Sequence, residues 1–126
     1  AGCEYTDQST GDVKFLKVWT GSTTVATNSA VKAYVYDDPD IVFSIQCDGT
    51  FANTDVGLNS NVTLTGGNTA FGYSKQEITV STFATTNTLP IRILRLVDDP
   101  SNAVGAAAKV EVYINNHQLR ANTAGI

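Results

Sequence analysis

The chain has 126 residues, 42% of them hydrophobic, and its eight Lys and Arg stand against twelve Asp and Glu for a formal net charge of −4. That length suits one domain around a single buried core. The few, scattered basic residues exclude a phosphate-reading nucleic-acid surface, and no apolar run approaches the roughly 18 residues of a membrane span.

Thr and Asn are frequent, Met is absent, and β-branched residues recur in short runs broken by Gly, Asn, Asp and Pro, which is the pattern of a β protein. VKFLKVW (residues 13–19) alternates so as to put Val13, Phe15 and Trp19 on one side, with Lys17 interrupting that face. VKAYVY (31–36) sets Val31, Ala33 and Val35 against Lys32, Tyr34 and Tyr36, and IVFSIQC (41–47) repeats the period before Asp48-Gly49 turns the chain. The short DDPD between these two runs predicts neighbouring strands in one sheet, joined by a hairpin or a bent connection. The Gly- and Asn-rich middle predicts mostly loop, with one short strand at 62–64. EITVST (77–82), LPIRILRLV (89–97) and AAKVEVYIN (107–115) complete the set, the last with Val110, Val112 and Ile114 against Lys109, Glu111 and Tyr113. The expected fold is an all-β single domain over 1–126, a small barrel or sandwich of about six or seven mostly antiparallel strands with long Gly/Asn/Thr-rich loops, and 116–126 as an extended C-terminal arm.

Two apolar runs end in Asp-Asp-Pro, at Asp37-Asp38 and at Asp98-Asp99. Turn formation explains both, because Asp accepts bonds from nearby backbone N–H groups and Pro fixes φ as the chain leaves a strand. The alternative is a hard cation held by Asp37, Asp38, Asp40, Asp98 and Asp99, but no D-x-D-x-D-G loop accompanies them, and no metal or cofactor is expected. His117, the one histidine, has no catalytic motif around it and reads as a hydrogen-bonding or surface residue. Glu77 and Glu111 on exposed strand faces give no sign of a paired-carboxylate cleft, and GGNTAFG (66–72) lacks the Lys and helix of a phosphate loop. No catalytic residue, and hence no enzyme, is expected.

Arg92 and Arg95 are an odd number of residues apart and so predict opposite faces, the inward one being neutralised by Asp98 or Asp99 or else by a neighbouring subunit. Trp19 reads as a core aromatic or an interface anchor. Cys3 and Cys47 lack metal or redox spacing, which leaves open one disulfide or two free thiols, with Cys47 as a small core hydrophobe. A start at Ala1 without methionine suggests a processed chain or part of a longer product.

Three blocks, GCEYTD near the start, YVYDDPDIVFSIQCDGTFANTDVG (34–57) and TLPIRILRLVDDPSNAVGAAAKVEVYINNH (88–117), resemble a family of capsid decoration (cement) proteins of tailed bacteriophages. The resemblance runs from Gly2 to about His117, and RILRLVDDPSN with the strand ending in INNH is its most specific part. Relatives often carry another β segment ahead of the position of Gly2. The resemblance implies a virion protein, made in the host cytoplasm, that binds the exterior of an icosahedral capsid and stabilises it against the packaged genome. It implies as partners the major capsid protein and copies of itself, as dimer or trimer, with neither nucleic acid nor membrane. Asp37, Asp38, Asp98, Asp99, Arg95 and Arg120 are the expected capsid or inter-subunit contacts. The competing expectation is a secreted or surface β module that binds carbohydrate or forms a fibre, with a Cys3–Cys47 disulfide and Tyr34, Tyr36 and Tyr73 on one platform.

Overall fold

A computed structural model describes residues 2–19, 21–68 and 70–126. These residues form eleven strands and two single 3-10 turns, Asn53–Asp55 and Val80–Thr82, with no α-helix among them. The strands are β1 (Gly2–Thr6), β2 (Val13–Leu16), β3 (Lys32–Tyr34), β4 (Phe43–Gln46), β5 (Thr50–Phe51), β6 (Asn59–Ser60), β7 (Val62–Thr63), β8 (Glu77–Ile78), β9 (Ile91–Leu96), β10 (Gly105–Ala106) and β11 (Lys109–Ile114). They pair antiparallel in four open sheets, ordered β2-β1-β3, β10-β5, β4-β11-β9-β6 and β7-β8; no closed barrel forms among the described residues. All seven expected strands are present in shortened form. The four beyond the expected count are β1 and three two-residue strands, β5, β6 and β10, too brief for any hydrophobic period to register.

The chain divides into two compact units. One comprises Ala1–Asp37 with Gly67–Ser74, the other Asp38–Gly66 with Lys75–Ile126. Consequently 31–36 and 41–47 are not neighbouring strands of one sheet: β3 pairs with β1, β4 pairs with β11, and DDPD lies where the chain passes between units. A short polar linker has the same composition as a hairpin turn, and composition alone does not separate them.

In the first unit, β1 sits between β2 and β3 with Cys3 opposite Leu16 and Ala33, and Glu4 opposite Phe15 and Lys32. Paired residues share a face. One face therefore carries Cys3 and Tyr5, both buried, with Trp19 set edge-on to Tyr5 at 5.6 Å. The other carries Val13, Phe15 and Tyr34, all exposed. The alternation expected over 13–19 holds only at 13–16, with its apolar side facing outward, and Trp19 joins the Tyr5 face instead of the side of Val13 and Phe15, while Lys14 turns to Asp7 at 2.6 Å on the Tyr5 face. Asp7 organises the β1–β2 hairpin by accepting the Ser9 N–H at 2.7 Å as well.

The second unit holds the main core: Cys47, Phe51, Ile78, Ile93, Ala108, Val110 and Val112 are buried, with Phe43, Ile45, Val80, Phe83, Ile91 and Leu96 packed around them. The inward side of β11 is the expected Val110-Val112 face, and each large apolar side chain buried there contributes about 1.5–3 kcal/mol. Between β9 and β11 the register shifts: Arg95 faces Glu111, yet Ile93 faces Val112. Leu94 is the extra residue of a β-bulge, and it changes the parity of the strand. Arg92, opposite Tyr113, and Arg95, opposite Glu111, therefore share the outer face, which corrects the expectation of opposite faces.

Candidate functional site

Both Asp-Asp-Pro segments are turns of one design. The second Asp of each pair accepts the backbone N–H two residues on, across the proline: Asp38 Oδ1 from Asp40 at 2.8 Å, and Asp99 Oδ1 from Ser101 at 2.7 Å. Its carbonyl then accepts the N–H three residues on, Ile41 at 3.3 Å and Asn102 at 2.9 Å. This is an Asx-turn superposed on a proline turn. The Ser101 hydroxyl and backbone N–H hold the Asp99 carboxyl below its usual range. Asn102 secures the second turn from the far side, donating to Val97 O at 2.9 Å and Lys109 O at 2.8 Å and accepting the Lys109 N–H at 2.9 Å.

Of the charged residues expected as contacts, Asp37 ends the first unit, and Asp38, Arg95, Asp98, Asp99 and Arg120 are distributed within the second. Arg95 pairs with Glu111 at 2.6 Å, so its counter-ion is the cross-strand neighbour; the expected Asp98 acts on it only through its charge. Arg120 pairs with Asp40 and lies over the Tyr113 ring, 4.5 Å from its centroid. Arg92 donates to Ala124 O at 2.7 Å. His117 accepts the Leu119 N–H at Nδ1, 3.0 Å away, and its carbonyl accepts from Arg120, so it shapes a turn. Among the described residues no three His, Cys, Asp or Glu converge on a point where a cation would sit. In the GGNTAFG segment the Asn68 side chain accepts the N–H groups of Ala70 and Phe71, the donors a phosphate would need.

The exposed face of the first unit offers the most contact chemistry. Phe15 lies over Gly2, where a Cβ would come within 2.5 Å of the ring, and meets Tyr34 with centroids 5.7 Å apart. Glu4 accepts the Tyr34 hydroxyl at 2.7 Å and has Lys32 3.7 Å away, and that carboxylate pushes the phenol pKa up. Phe15 is 63% and Val13 66% exposed. In the same unit an open groove of about 290 Å³ is lined by Val18, Trp19, Asn68 and Tyr73, beside Phe71 stacked on Tyr73 at 6.3 Å. Trp19 thus both covers Tyr5 and borders open surface.

Sequence reasoning missed the buried Asn59 and Asn115 and the half-buried Asn102, since a bond-forming Asn is spelled the same as a loop Asn. The apolar face had a signal, alternation at Val13 and Phe15, whose direction could not be read. Cys3 and Cys47 are free thiols, each buried. Compared with family models, curated proteins and solved structures, the chain finds no match.

Proposed function

We propose that the protein is a capsid decoration (cement) protein, binding the exterior of an icosahedral phage shell and stabilising it without chemistry. The observation that carries this reading is the outward apolar face of β2-β1-β3, with Val13, Phe15 and Tyr34 exposed around the Glu4–Lys32 pair. Contiguous apolar surface of this kind marks a contact site, and many copies on a repeating lattice multiply a weak contact through avidity. The major capsid protein is the partner for this face, and copies of the chain meet as dimers or trimers at symmetry axes. Asp37, Asp38 and Asp98 supply charged capsid or inter-subunit contacts, while Asp99, Arg95 and Arg120 act mainly within the fold. The frame that suits the task is sandwich-like, since Phe51 and Ile78 pack on the inner face of the four-stranded sheet. Assembly in the host cytoplasm agrees with buried free thiols.

Sedimentation of the native lysate, with the chain followed by mass spectrometry, tests the reading. Co-migration with large DNA-containing particles, in many copies beside one shell protein, is expected; a chain found only as a small soluble species overturns it. Phe15→Ser with Tyr34→Ser should strip the chain from particles, and Asp98→Lys should weaken attachment. The second reading, a carbohydrate-binding or fibre-forming β module, draws on the exposure of Tyr34, Tyr36 and Tyr73. A glycan-binding screen and a thiol count on the native protein separate the two.

A further inference from the structure

Residues 123–126 are held in the second unit almost entirely by their backbone. The Thr123 N–H donates to Asn115 Oδ1 at 3.1 Å and the Thr123 carbonyl accepts from Asn59 Nδ2 at 2.8 Å. Both of these Asn side chains are fully buried. Ala124 O accepts from Arg92 at 2.7 Å, the Gly125 N–H donates to Thr85 O at 2.9 Å and the Ile126 N–H to Gly57 O at 3.2 Å. Five of the polar backbone groups of residues 123–126 are thus bonded, while the side chains of Thr123, Ala124 and Ile126 remain exposed. At position 125 a Cβ would lie 3.0–3.1 Å from Ala84 O, Gly57 O and Leu58 Cα, all backbone atoms, so a side chain enters only if that backbone gives way by a few tenths of an ångström, and glycine fits best.

These residues form a slot for an extended x-x-Gly-x segment, recognised by main-chain bonds as in strand addition. Without an occupant, Asn59 Nδ2 and Asn115 Oδ1 each lose one bond that water must replace, so the slot favours a peptide. Its present occupant buries little side chain, and the exchange of that segment between copies conserves every bond.

We propose that this slot is an interaction surface between copies of the chain, taking residues 123–126 of a second copy in exchange for its own. The occupant is specified by its glycine.

Complementation tests the proposal. Gly125→Val ejects the segment and leaves an open slot; Asn59→Leu spoils the slot but leaves a usable segment. Each variant alone is expected to be monomeric by light scattering, and an equimolar mixture should contain at least tenfold more dimer than either. A mixture of folded variants that stays monomeric overturns the proposal. If either variant fails to fold by circular dichroism, the decision passes to the unaltered sequence, prepared as ¹⁴N and ¹⁵N forms with a photo-crosslinker at position 124. Mixed-isotope cross-links from the position-124 probe to slot residues 57, 59, 85, 92 or 115, increasing with concentration, support exchange; cross-links confined to one isotope at every concentration refute it.

Discussion

Asn115→Ala removes three hydrogen bonds at once from a fully buried side chain: Nδ2 to Asn87 O at 3.0 Å and to Leu89 O at 3.1 Å, and Oδ1 from the Thr123 N–H. At a net of about 0.5–1.5 kcal/mol each, the loss spans about 1.5–4.5 kcal/mol. Asn87 is exposed, and residue 123 can swing out to water, so part of the penalty is recovered. The expected destabilisation is about 2–3 kcal/mol, or a fall in Tm of about 8–15 °C for a chain of this size. Chemical and thermal unfolding followed by far-UV circular dichroism measure it. Asn116→Ala is the control, because Asn116 is exposed and keeps its backbone bond to Pro90 O; it should change stability by less than about 0.5 kcal/mol. Equal effects at both positions, or a loss at Asn115 below about 0.5 kcal/mol, would refute the assignment of the buried carboxamide as a tie between the end of β11, the 87–89 loop and the C-terminal segment.

The Lys14 ammonium and the Ser9 N–H hold the Asp7 carboxyl at about 2, against an ordinary 3.8. Because the folded value lies below the unfolded one, the stabilisation is present above the ordinary value and is lost as pH falls from there through the folded pKa. Carboxyl-carbon NMR should show Asp7 titrating late, and Lys14→Met should return it towards 3.8. Burial pushes the Cys47 thiol up to about 11, so a disulfide reagent should label it on unfolding-limited timescales in native protein and quickly in concentrated guanidinium; rapid native labelling contradicts the buried site. Asp99→Asn should preserve the 98–102 turn, since the amide oxygen can accept the Ser101 N–H, while Asp99→Ala should cost about 1 kcal/mol. Equal losses in the two variants would mean that the charge, rather than the turn, matters.

The strands legible from sequence were those with a buried and an exposed side of sufficient length, β4, β9 and β11, where alternation has a physical cause in the core. At Val13 and Phe15 the period was legible and the direction was not, because an apolar face turned to solvent has the same spelling as a face that packs on the core. Leu94 hid for another reason: a bulge adds one residue without leaving a compositional mark, and it moved Arg92 beside Arg95. The Asp-Asp-Pro turns were legible because their chemistry is local. Asn59 and Asn115 were not, since their partners lie 64 and 8 residues away at Thr123.

The excursion of Gly67–Ser74 into the first unit makes that unit discontinuous along the gene. The ribosome delivers β1, β2 and β3 well before the hairpin that lines the groove beside Val18 and Trp19. At about 5–20 residues per second, the nascent first unit waits some seconds for its last piece, while β4 to β7 emerge in the interval. A clone cut after Asp37 would therefore express a sheet without its closing hairpin, and a boundary drawn there by eye would sever one unit and burden the other with a stray loop.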